Sequence, residues 1–136
     1  MPDLHYACVD TFELESGVSL KNVPVSFMAI GELNMSGDNA IVVCHPLIGH
    51  PDFRIWWNPL IGEDGHTFNV KEYFIICLTM LGSAYGSAGP LTVRNGDPES
   101  GLYGPEFPLT TVRDDVKLDL PGSTDAFTSY NSNLRE

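Results

Sequence analysis

The sequence predicts an α/β fold with a central, largely buried sheet, and three features of the chain lead to that prediction. Two continuous apolar runs, residues 40–44 (AIVVC) and 73–78 (YFIICL), have the composition of strands covered on both faces. About thirty residues separate them, a spacing more typical of a sheet covered by other elements than of a simple sandwich. Apolar side chains spaced four apart after residue 111 indicate a helix.

The chain begins with a predicted hairpin. Residues 12–15 (FELE) alternate apolar and acidic side chains and then meet a Ser-Gly pair, the pattern of a half-solvated strand that enters a turn. Residues 23–30 (VPVSFMAI) form the second predicted strand, with Pro24 near its start, where a missing N–H is tolerated. Gly31 is expected to end or bend that strand.

The second half of the chain is predicted to be mostly loop. Residues 82–108 are rich in Gly, Pro, Ser and Asn, and a loop of that length in a compact domain is usually functional or disordered. A helix is expected to begin after Thr111, the predicted N-cap, with Asp114 as its reciprocal capping partner. Pro121 should end the helix after about two turns, because it lacks an N–H and its ring clashes with the preceding turn.

The net charge and the length of the apolar runs argue against two classes of partner, nucleic acids and membranes. The chain has 136 residues with 18 acidic and 7 basic side chains, a formal charge of -11 at pH 7. That charge repels phosphate backbones and anionic lipids, so we expect neither nucleic acid nor a membrane as a partner. No apolar run approaches the roughly 20 residues of a membrane-spanning helix, and the first residues lack a signal-peptide pattern, which together predict a cytoplasmic protein.

The spacing of cysteine and histidine predicts no metal site. Cys8, Cys44 and Cys77 form no C-x-x-C pair, and the last two lie in the apolar runs, where a reduced thiol behaves as a small core residue. The histidines lack the i, i+4 pairing of a zinc site. We therefore expect no bound metal.

Four blocks of sequence, in order along the chain, match the motifs of one known family. They are residues 12–17 (FELESG) through 23–25 and on to 31–34 (GELN), residues 42–49 (VVCHPLIG) with the Trp pair at 56–57, residues 73–77 (YFIIC) with 81–90 (LGSAYGSAGP), and residues 103–108 (YGPEFP) with 111–115 (TVRDD). They resemble, in turn, an opening hairpin, a Cys-His-x-Leu-x-Gly turn with a Trp-Trp pair, a Gly-Ser-x-Gly-Pro loop and the entry to a first long helix. On these motifs the chain resembles the homoserine O-acetyltransferases, acyltransferases of the α/β-hydrolase superfamily.

The resemblance implies a two-step acyl transfer. A serine takes the acetyl group from acetyl-CoA, a histidine relays the proton, and the hydroxyl of homoserine then accepts the acetyl group. Acetyl-CoA would be the acyl donor, with no bound cofactor. Thr79 stands where the family usually has asparagine, and residues 50–52 (HPD) replace the more usual Asp-Ala-His, so serine or another small hydroxyl compound remains open as the acceptor.

The resemblance also implies site residues. The turn after residue 44 corresponds to the first oxyanion donor of α/β-hydrolases, and we nominate the backbone N–H of Leu47 because a proline precedes it and has no N–H. Without the resemblance, a plain strand-to-loop turn is the favoured interpretation of the same segment. The residues expected to line a substrate pocket are His45, Gly82, Ser83, Tyr85 and Gly86.

The sequence contains no G-x-S-x-G nucleophile elbow. Ser83 and Ser87 lie in glycine-rich segments, but neither has glycine at both minus two and plus two, so a structural or pocket-lining role is favoured for each. In the family the first long helix leads to another strand before the elbow, whereas here Pro121 follows the helix start closely. We therefore expect an incomplete α/β-hydrolase-like sheet in residues 1–120, truncated before the elbow, with a disordered tail at 121–136.

Three hypotheses follow. The leading one is an acyltransferase of this family whose chain is catalytically incomplete. The second is a noncatalytic pseudoenzyme or interaction partner, in which a second copy or a partner chain covers the open sheet edge. The third is an esterase with a rebuilt site, for instance Ser87 with His50 and Asp52.

Overall fold

The computed structural model describes residues 4–46 and 49–119. Within these ranges the strands are β1 His5–Glu13, β2 Ser19–Ile30, β3 Ala40–Val42, β4 Ile61–Gly62, β5 Phe68–Asn69 and β6 Phe74–Leu78. The α-helices are α1 Arg54–Trp57 and α2 Val112–Asp119, and short 3-10 turns lie at Asn58–Leu60, Arg94–Gly96, Pro98–Ser100 and Gly104–Glu106. The predicted tail at 121–136 lies outside the described residues.

In the described residues, the larger of two sheets has four strands and is mixed. Its strand order is β1-β2-β6-β3, with β2 antiparallel to β6 and β3 parallel to β6, while β4 and β5 form a small parallel pair. All five residues of β6 are buried, as its continuous apolar sequence predicted. The parallel pair requires a crossover, and the segment between β3 and β6 contains α1, as in α/β proteins.

The chain divides into two compact units. Of the described residues, the first unit comprises residues 4–5 with 27–79, and the second comprises residues 6–26 with 80–119. The first unit has its own apolar core of Met28, Val43, Phe53, Ile61, Ile75 and Cys77. Trp56 and Trp57 are partly buried and pack against this core, and the Trp57 ring stacks on Phe68 with centroids 5.7 Å apart.

The first of the two apolar runs differs from its prediction. β3 ends at Val42, and both Val42 and Cys44 are exposed, so the expectation of a strand buried on both faces was wrong here. Exposed Val42 and Cys44 alternate with buried Val43, so one face of this segment is uncovered, and in the described residues β3 pairs with β6 alone at the end of the sheet. Cys77 on β6 is fully buried, as predicted, whereas the core position predicted for Cys44 was wrong.

The second unit joins the opening hairpin to α2. The turn after β1 is closed by hydrogen bonds from Leu14 N to Val18 O and from Gly17 N to Leu14 O, each 2.9 Å long. The predicted capping box is present at the start of α2: the Thr111 amide donates to the Asp114 carboxylate at 2.9 Å, and the Asp114 amide donates to the Thr111 hydroxyl at 3.3 Å. The helix therefore begins where the sequence predicted.

Helix α2 is oriented differently from what its apolar spacing suggests. The i, i+4, i+8 spacing of Val112, Val116 and Leu120 predicted the helix; Leu120 lies outside the described residues, and Val112 and Val116 are 77% and 50% exposed. The residues at 0% and 1% exposure are Asp114 and Leu118, which lie on the opposite face. An acidic side chain thus takes a buried position because it caps the helix.

Candidate functional site

The turn after β3 contains the first group of predicted site residues. Val43 is held to the sheet by its amide, which donates to Ile76 O at 2.8 Å. His45 is 3% exposed, and its Nδ1 lies 2.8 Å from the carbonyl oxygen of Pro46. A carbonyl only accepts, so Nδ1 is the protonated nitrogen and donates to it.

The Pro46 carbonyl has a second donor. The amide of Gly49 donates to the same oxygen at 2.6 Å, so two groups hold the turn in place. Leu47, the nominated oxyanion donor, lies outside the described residues, and its role stays a prediction. His45, nominated as a pocket residue, is buried within the turn.

The residues that follow the turn form a separate polar cluster. The Asp52 carboxylate accepts from Arg54 Nε at 2.8 Å and from Nη2 at 3.1 Å. These hydrogen bonds to Arg54 outweigh partial burial and hold the pKa of Asp52 below its ordinary value of 3.8. His50 Nδ1 accepts from the Asp52 amide at 3.0 Å.

The contacts of this cluster test the rebuilt esterase site of the third hypothesis, which combines Ser87 with His50 and Asp52. Asp52 already neutralises an arginine, and Ser87 belongs to the other compact unit. The proposed trio therefore gains no support from the contacts of Asp52.

The second unit contains an open cavity of about 430 Å³ in the glycine-rich loop. Its walls come from Gly82, Ser83, Ala84, Gly86, Ser87, Gly89, Pro90, Leu91 and Thr92. Three of the predicted pocket residues, Gly82, Ser83 and Gly86, thus lie together, and Tyr85 belongs to the same loop. The lining side chains are uncharged and mostly small, so the cavity suits an uncharged portion of a ligand.

Strand β2 holds this loop through Ser26. The Ser26 amide donates to the buried Ser87 hydroxyl at 3.0 Å, and the Ser26 hydroxyl donates to Tyr85 O at 2.7 Å. The Ala88 amide donates to Pro24 O at 2.8 Å, next to these contacts. The Ser87 oxygen therefore has a structural task, which disfavours it as a nucleophile.

Ser83 is also engaged, though less deeply. Its hydroxyl accepts from the Tyr85 amide at 3.2 Å, within the loop itself. Helix α2 fixes the start of the loop, because Asp115 Oδ1 accepts from the Leu81 amide at 2.9 Å. Sequence reasoning missed these contacts of Ser26 and Asp115, because each acts on a segment far away along the chain.

Two further findings on the described residues concern metal-binding clusters and membrane-spanning helices. In residues 4–46 and 49–119, no group of three or more His, Cys, Asp or Glu side chains could hold a metal ion. Within the same residues, neither helix is long and apolar enough to cross a bilayer.

Comparison with known proteins gives the family. No profile of a known protein family matches the chain. The homoserine O-acetyltransferase of Emericella nidulans is 54% identical over 116 residues, which make up 85% of this chain and 24% of that protein. The chain belongs to the homoserine O-acetyltransferase family. The homoserine O-acetyltransferase of Saccharomyces cerevisiae is 51% identical over 105 residues, covering 76% of this chain and 21% of that protein.

A solved homoserine O-acetyltransferase agrees in fold. The crystal structure of the enzyme from Bacillus anthracis matches with a TM-score of 0.68 at 22% identity, over 85% of this chain and 34% of that one. This likeness shows the α/β-hydrolase fold class, which is confirmed along with the family that the four sequence blocks indicated. The chain spans about a quarter of the length of the homoserine O-acetyltransferases that it matches in sequence.

Proposed function

We propose that this chain supplies the oxyanion turn and part of the substrate pocket for acyl transfer from acetyl-CoA to the hydroxyl of homoserine or a related small molecule. The main support is the 54% identity over 116 residues to a homoserine O-acetyltransferase. The matched part of this chain includes most of its length, so the turn after β3 and the glycine-rich loop are the regions where a shared activity would reside. A cytoplasmic location is part of the same proposal.

The proposed role of the turn is to stabilise negative charge on the reacting carbonyl oxygen. An acyl transfer needs backbone N–H donors aimed at that oxygen, and the Leu47 N–H is our candidate for one of them. The turn is held immediately before Leu47, because His45 and Gly49 both donate to the Pro46 carbonyl. A preorganised donor of this kind typically contributes about a hundredfold or more to the rate.

The proposed role of the loop is to shape the acceptor or acyl pocket. Gly82, Ser83 and Gly86 line the cavity, with Tyr85 beside them in the loop. Ser26 and Asp115 anchor the loop from β2 and α2, so its shape does not depend on the loop sequence alone. A fixed, uncharged wall suits the acetyl group of the donor or the uncharged hydroxyl end of the acceptor.

The nucleophilic serine is proposed to lie in the part of a homoserine O-acetyltransferase that has no counterpart in this chain. The 136 residues contain no G-x-S-x-G segment. The hydroxyls of Ser83 and Ser87 each accept a hydrogen bond from a backbone amide. The catalytic serine, histidine and aspartate would then lie in the remaining three-quarters, roughly, of a homoserine O-acetyltransferase. The 136-residue chain alone should therefore not catalyse acyl transfer.

A chimera tests the shared activity. The matched 116 residues of the Emericella nidulans relative are replaced by the corresponding residues of this chain, and free thiol release from acetyl-CoA is followed with homoserine or serine as acceptor. We expect thiol release that depends on one of the acceptors. A folded chimera without turnover on either acceptor would refute the proposal, and the unaltered relative serves as the positive control.

The chain alone tests the missing nucleophile. The purified 136-residue protein is assayed in the same way and also with a chromogenic acetate ester, beside its Ser83→Ala and Ser87→Ala variants. We expect no rate above the uncatalysed background. A rate abolished by either substitution would show that a serine of this chain is the nucleophile, and turnover of the ester alone would favour the esterase hypothesis.

A further inference from the structure

The cavity of the glycine-rich loop has a wall without charge. Its volume of about 430 Å³ lies within the roughly 300–1,000 Å³ of typical small-molecule sites. All of its lining residues belong to the second unit, so this chain builds the cavity by itself. None of the lining residues is acidic or basic, although the chain has a formal charge of -11. A charged group that left water for this cavity would therefore find no counter-charge in the wall.

The wall offers hydrogen-bond donors instead of charges. The hydroxyls of Ser83 and Thr92 each accept from a backbone amide of the same loop, and within residues 4–46 and 49–119 neither hydroxyl donates to an acceptor. The backbone amides of Ala84 and Gly86, two further lining residues, also have no acceptor in these ranges. The cavity therefore presents uncharged O–H and N–H groups to the oxygen atoms of a ligand.

The pantetheine arm of acetyl-CoA matches this wall better than the other parts of the two substrates. The arm is uncharged and has amide, hydroxyl and thioester oxygens along its length, so it supplies several acceptors at once. The acetyl group alone supplies a single carbonyl oxygen. The hydroxyl of homoserine is also a single oxygen, and only a short carbon chain separates it from a carboxylate and an ammonium group.

The nucleotide end of acetyl-CoA fits the cavity poorly. Phosphates are usually bound by lysine or arginine, and neither residue type is among those that line the cavity. The net negative charge of the chain also repels phosphates. The uncharged arm is therefore the part of the donor whose chemistry agrees with both the donors and the neutrality of the wall.

We propose that the cavity of the glycine-rich loop is the subsite for the pantetheine arm of the acyl donor. The hydroxyls of Ser83 and Thr92 and the amides of Ala84 and Gly86 donate to the carbonyl and hydroxyl oxygens of the arm. The proposal rests on the proposed function, since it takes acetyl-CoA as the donor. It assigns the cavity to the donor rather than to the acceptor, whose charged groups then bind elsewhere.

Thiol–disulfide exchange tests the subsite in the 136-residue chain. Ser83→Cys places a thiol in the wall, and its exchange rates with pantethine, the disulfide of pantetheine, and with hydroxyethyl disulfide are measured by peptide mass spectrometry. The ratio of the two rates removes the intrinsic reactivity of each thiol from the comparison. We expect this ratio to be at least about fivefold higher at position 83 than at the exposed Cys44, because binding positions the reagent beside the thiol. Met35→Cys, at 99% exposure in the other unit, is the matched engineered control.

A titration of the unaltered chain gives an independent readout that needs no substitution. S-Methylpantetheine is added, and the amide chemical shifts are followed by NMR. We expect the amide protons of Ala84 and Gly86 to move downfield as they begin to donate. The Gly37 amide, which already donates to Asn34 O at 3.1 Å in the other unit, should stay in place. Homoserine and adenosine bisphosphate, the nucleotide end without the arm, should move none of these amides.

Each outcome decides the proposal. Equal exchange ratios at positions 83 and 44, or unmoved amides of Ala84 and Gly86, would overturn it. Shifts caused by homoserine instead of S-methylpantetheine would overturn it in favour of the acceptor, and shifts caused by adenosine bisphosphate would overturn it in favour of the nucleotide end. An active chimera combined with no response to the pantetheine compounds refutes the subsite alone. A response to them combined with a folded but inactive chimera refutes the proposed function alone.

Discussion

The backbone amide of Glu15 lies 2.6 Å from Oδ1 of Asp114 and donates a hydrogen bond to that fully buried carboxylate. The other oxygen of Asp114 accepts from the amide and the hydroxyl of Thr111 at 2.9 and 3.0 Å. One side chain therefore caps helix α2 and ties the turn of the opening hairpin to it. The same helix start anchors the pocket loop through Asp115, so the capping carboxylate contributes to the support of the proposed site.

Replacement of Asp114 by asparagine should destabilise the protein by about 2–3 kcal/mol. Asparagine removes the negative charge and one of the two acceptor oxygens, so a buried amide donor loses its partner. The free energy of unfolding is measured by urea denaturation at pH 7. Asp10→Asn is the control, because Asp10 is exposed on β1 and the same change there should cost less than about 0.5 kcal/mol. Equal losses at the two positions would contradict the role of Asp114.

Stability should decline at acid pH through the same carboxylate. Burial acts to raise the pKa of Asp114, but the amide of Glu15 and the donors of Thr111 outweigh it and hold the pKa below its ordinary value of 3.8. A carboxyl whose pKa is lower in the folded state binds fewer protons there than in the unfolded chain. Its contribution is therefore complete above the unfolded pKa and is lost as pH falls through the folded one.

The measurement is the free energy of unfolding as a function of pH. We expect it to decrease as pH falls below about 4 and to decrease less steeply in Asp114→Asn, which has no carboxyl to protonate at that position. Asp52, whose pKa is lowered by Arg54, contributes to the remaining slope. Identical slopes in the two proteins would show that Asp114 is not a source of the acid sensitivity.

The sequence predicted the elements whose signal is local. The capping box of α2 depends on two residues three apart, and β6 is a continuous apolar run, so both could be found without tertiary information. β1 begins at His5, well before the predicted start at Phe12. The prediction missed the first residues of the strand because they lack a clear apolar alternation. Helix α1 has four residues and β4 and β5 have two each, which is too short for any periodic pattern to appear.

The candidate site was predictable only in part, because some of its contacts join segments that are far apart in the sequence. The loop was predicted from its composition, and the resemblance placed Gly82, Ser83 and Gly86 in a pocket. The residues that hold the loop were missed, because Ser26 and Asp115 act on segments about 60 and 34 residues away in sequence. Such contacts depend on how the hairpin and α2 pack, which spacing along the chain does not reveal.

Ser87 and Ser83 should differ in their effect on stability. Ser87→Ala removes the acceptor of the buried Ser26 amide and should cost about 1–3 kcal/mol, the usual penalty for an unsatisfied buried donor. Ser83→Ala removes a 3.2 Å contact within a partly exposed loop and should cost less than about 0.5 kcal/mol. Urea unfolding of both variants measures the difference. A larger loss for Ser83→Ala than for Ser87→Ala would reverse the assignment of the structural serine.

Gly31 and Gly37 both have a positive φ, but their surroundings differ. Gly31 ends β2 at φ +79°, and an added Cβ would lie 2.2 Å from the carbonyl oxygen of Tyr73 and 2.8 Å from that of Val70. Gly37 has φ +70° with nothing within 4 Å of the same atom. Gly37→Ala should therefore cost about 1–2 kcal/mol, the price of the left-handed backbone alone.

Gly31→Ala should cost more, about 2–5 kcal/mol, because the backbone strain is joined by an overlap with carbonyl oxygens that belong to the segment leading into β6. The free energy of unfolding of the two variants in urea gives the contribution of the close approach by difference. Equal losses would mean that the end of β2 can move away from Tyr73 at little cost. The expected excess for Gly31 instead implies that glycine is required where β2 passes the start of β6.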